Sequence, residues 1–197
     1  MQGLINRAIQ CFISVTYGEI TWLKIVEKAG DGIANFEAFL DYPVSTTFGL
    51  VDAIEAQIAL PRSVFLEDLG TFLVTSKTTS AVRRLLRFGG LTYEEFVLSL
   101  DELPERLSLA LPEIRLPAIE VDLVSPKRYE VKVADGIDGF SYVVVGVLRA
   151  LADDYGSLAF IEHASKAGSS MITVVLAESD FAVGNHFDFA QVAHAAG

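Results

Sequence analysis

One cysteine, three histidines and a shortage of cations set the first limits on this chain. Cys11 alone can close no intramolecular disulfide and no cysteine zinc cluster, so it reads as a small core residue. His163, His186 and His194 show no metal-ligand spacing such as His-Glu-x-x-His, and no metal centre is expected. Fifteen Lys and Arg stand against 26 Asp and Glu, a formal net charge of −11 with a pI near 4.6. Phosphate backbones and anionic bilayers are held by clustered cations, so neither nucleic acid nor a membrane surface is an expected partner. The basic cluster Arg83, Arg84 and Arg87 reads as a solvated helix face. Long apolar runs are missing too. Although 51% of residues are hydrophobic and mean hydropathy is +0.41, no run approaches the ~20 residues of a bilayer span. The apolar surplus therefore implies a large core or an internal apolar pocket. The opening Met1-Gln2-Gly3-Leu4-Ile5-Asn6-Arg7 lacks the basic region and apolar stretch of a signal peptide, which favours the cytoplasm.

What is present is helical periodicity followed by alternation. In 2–16, Leu4, Ile5, Ala8, Ile9, Cys11, Phe12, Ile13 and Val15 span about half the circumference of a helix, with Asn6, Arg7, Gln10 and Ser14 sharing the other side. So wide an apolar stripe predicts contacts on two sides. A second helix is expected over 19–29 with Gly30 as its cap, then a loop over 31–43. Two more helices carry Leu50, Val51, Ile54 and Ile58, and then Val64, Phe65, Leu69, Phe72 and Leu73, with Pro61 opening the latter. A short basic helix over 79–88 stops at Gly89-Gly90, and Thr92 with Glu95 forms a capping box for the next. Beyond Pro112, Ile119, Val121 and Leu123, and then Tyr129, Val131 and Val133, alternate with polar residues as two strands joined by a turn at 125–128. A helix over 140–152 and two strands over 157–163 and 171–177, turning at 166–169, complete the order. The expectation is one α+β unit over 1–197: a mainly helical half (1–111), a ββαββ half built on an antiparallel sheet (112–180), and a tail (181–197).

Residues 93–107 form an amphipathic helix whose apolar side includes Pro104. Proline lacks a backbone donor and costs about 3 kcal/mol in a helix interior, so either a kink or a break is expected just before it. This segment resembles the proximal helix of the heme nitric oxide/oxygen binding (H-NOX) family. Residues 96–106 follow the spacing Phe-Leu-x-x-Leu-Asp-x-x-His except at the last place, where Pro104 stands for the iron-ligating histidine. The opening Met1-Gln2-Gly3-Leu4-Ile5, Tyr17-Gly18, Gly70 and the prolines Pro112 and Pro117 also resemble family features, and Pro117 aligns with one that presses on the macrocycle. The family's Tyr-x-Ser-x-Arg motif for the heme propionates survives only as Tyr129, followed by Val131 and Val133; a second register anchored on Gly146 puts Ala134, Gly136 and Asp138 there instead. Leu73 and Val143 stand near positions that bear distal hydrogen-bond donors in oxygen-binding members.

The resemblance implies a sensory, regulatory domain whose two halves shift with ligand state, read by a separate signalling protein such as a cyclase or histidine kinase. With no axial donor at Pro104, no cofactor is expected, heme only if the family function is retained. The cleft is then either filled by its own side chains or holds another apolar small molecule. The alternative is a gas sensor with a non-standard axial ligand, for which Cys11, Tyr142 or a histidine would be the donor. Candidate pocket walls are Ile5, Ile9, Phe12, Leu73, Leu100, Leu103, Pro117, Tyr129 and Val143, with Pro104 marking the vacated ligand position. Carboxylate pairs such as Glu94 with Glu95 and Asp101 with Glu102 lie on the solvent side of the helix, so catalysis is not expected.

Overall fold

The computed structural model describes residues 2–110, 115–134, 136–166 and 169–177. Pro112, residues 167–168 of the turn expected at 166–169, and the tail with His186 and His194 lie outside the described residues. The helical half holds α1 (Gln2–Tyr17), α2 (Glu19–Ala29), α3 (Val44–Ile58), α4 (Arg62–Thr75), a 3-10 turn (Lys77–Thr79) and α5 (Ser80–Arg87). Helix α2 ends on Gly30, whose left-handed conformation (φ 84°) lets its N–H bond the Val26 carbonyl. Pro61, expected to open α4, stands at its N-cap, one residue before the first helical residue Arg62. The breadth of the α1 stripe has its expected consequence, and more. Ile9, Phe12 and Ile13 are buried on the apolar side with Trp22, Ile25 and Phe65, yet Asn6 and Gln10 of the polar side are buried as well. The 31–43 loop covers that side: Gln10 Nε2 donates to Asn35 Oδ1 at 3.1 Å while its Oε1 accepts the Phe36 N–H at 3.0 Å. A buried amide is tolerated when both its ends are bonded. Of the four polar residues only Arg7 is exposed, whereas Val15, assigned to the apolar stripe, is 60% exposed.

Helices α6 (Tyr93–Leu98) and α7 (Leu103–Ala110) replace the single helix that periodicity suggests. The capping box forms as read, with Thr92 Oγ1 accepting from the Glu95 N–H. The break sits just ahead of Pro104, which occupies the first turn of α7, where a missing N–H costs no intrahelical bond. Through 99–103 the chain tightens to i→i−3 bonds, Leu100 N to Val97 O and Leu103 N to Leu100 O. Ser99 is then held by Arg106, whose Nη2 donates to its carbonyl at 2.8 Å and its hydroxyl at 3.1 Å.

Strands β1 (Ile119–Ser125) and β2 (Arg128–Ala134) form a hairpin, α8 (Phe140–Tyr155) follows, and β3 (Ala159–Lys166) and β4 (Ser169–Leu176) complete an antiparallel sheet ordered β1-β2-β4-β3. One face of the sheet, carrying Tyr129, Val131, Val133, Ile172 and Val174, packs with α8 and α6 into a second core. The β-branched run 143–145, ambiguous by propensity, is helical because Val144 and Val145 are buried in that core. The halves meet where α4 crosses α8. A Cβ on Gly70 would lie 2.2 Å from the Val143 carbonyl oxygen, and one on Gly146 1.9 Å from that of Glu67. Each helix thus presents bare backbone to the other, as only glycine permits.

Candidate functional site

The ten residues singled out for the site fall into different packed groups. Ile9 and Phe12 are buried in the helical-half core, with Ile5 and Val143 packed half-buried against it. The Phe12 ring centroid lies 5.7 Å from that of Phe65 and 5.2 Å from that of Phe72, so aromatic side chains from α4 fill the space beside α1. Leu100, Leu103 and Tyr129 belong to the core under the sheet. Pro104 is half-buried, Leu73 is half-buried outside both cores, and Pro117 is buried near Gly136, where a Cβ would come within 3.4 Å of its ring.

Two open concavities are described. One, of about 610 Å³, is lined by Glu67, Tyr142, Arg149 and His163 among others, and one of about 370 Å³ by residues from Val133 to Tyr142 with Ser165 and Ser170. None of the ten residues lines either.

The polar chemistry near these residues is directed elsewhere than to a metal. The buried Tyr129 hydroxyl donates to Glu94 Oε1, and Lys127 Nζ sits 2.6 Å from Glu94 Oε2. Helical spacing puts Glu94 on a solvated face; its half-buried position reflects a partner strand that spacing cannot reveal. The Lys127 and Tyr129 hydrogen bonds hold its carboxyl below the ordinary 4.5, while burial and Glu94 push the Tyr129 phenol up. Because the folded-state value of Glu94 is the lower one, its contribution is present above the unfolded-state value and is lost as pH falls through the folded-state value. The urea midpoint should therefore drop on acidification below about pH 4.5, and Glu94→Gln should flatten that limb; an unchanged profile contradicts the pairing.

Of the alternative donors, Cys11 and His163 have polar partners and Tyr142 has a ring contact. Cys11 Sγ lies 3.7 Å from Thr78 Oγ1, His163 Nε2 is 2.9 Å from Ser141 Oγ, and the Tyr142 ring packs on His163 at 4.3 Å between centroids. Burial lowers the His163 pKa, with Glu67 opposing. At the positions of the propionate motif, Val131 and Val133 are buried and Asp138 pairs with Arg62 at 3.1 Å. The basic cluster is not merely solvated: Arg83 and Arg87 both reach Asp154, and the Arg87 guanidinium stacks 3.8 Å above the Tyr155 ring. These partners lie about 70 residues away in sequence.

A family model described as haem-NO-binding matches residues 2–163. The chain belongs to the H-NOX family. Among curated relatives, soluble guanylate cyclase gcy-31 of Caenorhabditis elegans is 24% identical over 154 residues, which are 78% of this chain and 22% of the cyclase. Soluble guanylate cyclase 89Db of Drosophila melanogaster is 18% identical over 80% of this chain and 24% of the cyclase. The chain thus spans under a quarter of these relatives. Among solved structures, an H-NOX protein from S. oneidensis in the Fe(II)NO state superposes with a TM-score of 0.75 at 17% identity, covering 90% of this chain and all of that one. The Fe(II) unliganded H-NOX protein from K. algicida gives 0.77 at 14% identity over 90% and 97%. The H-NOX assignment makes this a domain of a heme-based gas-sensing family, and the observed α+β order is the H-NOX order. Yet the H-NOX position expected to ligate iron does not fit that metal: Pro104 offers no side-chain donor. The Tyr129 phenol, left from the propionate motif, is bonded to Glu94. No described helix is long and apolar enough to cross a membrane.

Proposed function

We propose that this H-NOX domain is a cytoplasmic regulatory module that does not ligate heme in the family's manner and acts by contact with a signalling protein such as a cyclase or histidine kinase. The observation that carries this reading is the proline at the ligand position, set at a helix break that the surrounding structure accommodates. The break leaves Pro104 in the first turn of α7, with Arg106 holding the carbonyl of Ser99. A proline there is compatible with the fold and incompatible with axial ligation. Supporting it, Phe12, Phe65 and Phe72 fill the space between α1 and α4, and neither concavity touches the candidate walls. Both favour an interior occupied by the chain's own side chains over one that holds another apolar molecule.

The two glycines at the α4–α8 crossing give such a module one rigid junction between its halves, through which a change in one is passed to the other. The test is heme titration of the Pro104→His variant. A filled interior predicts that restoring the imidazole alone yields no stoichiometric Soret band. A sharp band would show that a macrocycle-shaped space persists and would overturn the filled-interior reading.

A further inference from the structure

Strand β3 is an outer strand of the sheet, and its ladder fixes which backbone groups are taken. The Ala177 N–H bonds the Leu158 carbonyl at 2.9 Å, and the β3–β4 pairing continues from there in unbroken register from Ala159↔Leu176 to Lys166↔Ser169. In an antiparallel ladder, alternate residues bond a given neighbour. The N–H and C=O groups of Ala159, Ile161, His163 and Ser165 therefore point away from β4, and no backbone bond among the described residues takes them up. Proteins normally guard such an edge with charge, proline or a bulge. The other outer strand, β1, carries Glu120 and Asp122, and its register shifts between Leu123 and Ser125. Strand β3 also carries charge, at Glu162 and Lys166, but its pairing has no such shift, and Leu158 and Phe160 at its start are 68% and 63% exposed.

A groove of about 610 Å³ runs beside this edge, lined by Ile161, Glu162 and His163 of β3 and by Glu67, Tyr142 and Arg149 from α4 and α8. Glu67 and Arg149 pair with each other, which leaves Glu162 as an exposed carboxylate in no ion pair among the described residues. The whole chain carries −11. A second copy would bring the same carboxylate and the same net charge to the edge, so charge complementarity selects a basic occupant.

We propose that the open edge of β3 is a docking site for an extended, basic segment of a partner protein, Lys or Arg alternating with apolar residues, which adds as a fifth strand of the sheet. Main-chain bonds to Ile161 and His163 supply affinity, while the groove, Glu162 and the exposed Phe160 read alternate side chains. The proposal deepens the reading above, in which the domain works through a partner, by stating where and with what chemistry the partner binds.

The experiment uses the full chain and two labelled synthetic peptides, one alternating Lys with Val and one alternating Glu with Val, followed by fluorescence anisotropy and by amide exchange. The basic peptide should bind at least about tenfold tighter than the acidic one, weaken with salt, and slow exchange at Ile161 and His163 while β1 is unchanged. Glu162→Lys should lower its affinity about tenfold. Ser165→Pro removes one edge donor without touching the β4 ladder, so it should weaken binding and leave the unfolding midpoint in place. Equal binding of the two peptides, protection appearing in β1, or amides of Ile161 and His163 already protected in the free protein would each overturn the proposal. The last outcome would mean that the edge is covered by another part of the chain or by a second copy. Heme binding by the native protein would sink the heme-independent reading without altering the peptide result, so the two failures are distinguishable.

Discussion

Replacing Gly146 by alanine should destabilise the protein by about 3 kcal/mol, against the direction that helix propensity alone predicts. Alanine is favoured over glycine by about 1 kcal/mol in a helix interior, and Gly146 lies inside the sixteen-residue α8. The added methyl, however, would sit 1.9 Å from the Glu67 carbonyl oxygen and 2.9 Å from the Thr71 nitrogen, both backbone atoms of α4 that no side-chain rotation can move. Relief requires the two helices to part along the junction between the halves, and the loss of packing there exceeds the propensity gain. Gly70→Ala meets the Val143 carbonyl in the same way. Because both substitutions are relieved by one separation, the double variant should be less destabilised than the sum of the singles. Urea denaturation of the three variants measures this. A raised midpoint for Gly146→Ala, or strict additivity, would mean that the helices do not meet backbone to backbone.

Phe12→Ala should cost about 3–5 kcal/mol, the range for removing a fully packed ring. Phe12 is 3% exposed and touches the rings of Tyr17, Phe65 and Phe72, whose centroids lie 6.0, 5.7 and 5.2 Å away. If those rings close the interior, truncation opens a dry cavity that a small apolar probe such as benzene should enter, restoring part of the lost stability by an amount that grows with the logarithm of its concentration once that exceeds the Kd. If the native domain instead holds a preformed apolar pocket there, truncation removes fewer contacts. The cost would then fall below about 2 kcal/mol, and benzene would already stabilise the unsubstituted protein. The comparison decides between a filled domain and one built for another ligand.

How far the sequence carries depends on whether a feature is local. The Thr92–Glu95 capping box, the Gly30 cap and the disruption at Pro104 rest on contacts within a few residues, and all three are found where the sequence places them. The order of strands and helices follows from the switch from a 3.6-residue to a two-residue period. What periodicity does not carry is polar pairing across the chain. The 31–43 loop has no period, so nothing in it announces that Asn35 and the Phe36 N–H will bury Gln10. Glu94 on the exposed side of α6 meets Tyr129 and Lys127 only because β2 returns beside it. Arg83 and Arg87 stay exposed as their helical spacing suggests, but the end of α8 brings Asp154 to them, which spacing does not announce.

The site residues divide the same way. Burial of Ile9, Phe12, Leu100, Leu103, Pro117 and Tyr129 agrees with their apolar character. Their arrangement into separate cores depends on how α4 and α8 cross. In the sequence Gly70 is a feature shared with the family and no more, since a glycine in a helical pattern does not say which helix will approach it.

On the function proposed above, this H-NOX domain does without an axially ligated heme. The most direct test is titration of the native protein with hemin, read by visible absorption together with the thermal unfolding midpoint. A ligand that binds only the folded state must raise that midpoint as its concentration rises. A domain without an axially ligated heme should give no saturable Soret band and an unmoved midpoint. A sharp band that saturates at one heme per chain and lifts the midpoint would contradict that reading, and would direct attention to a donor other than Pro104.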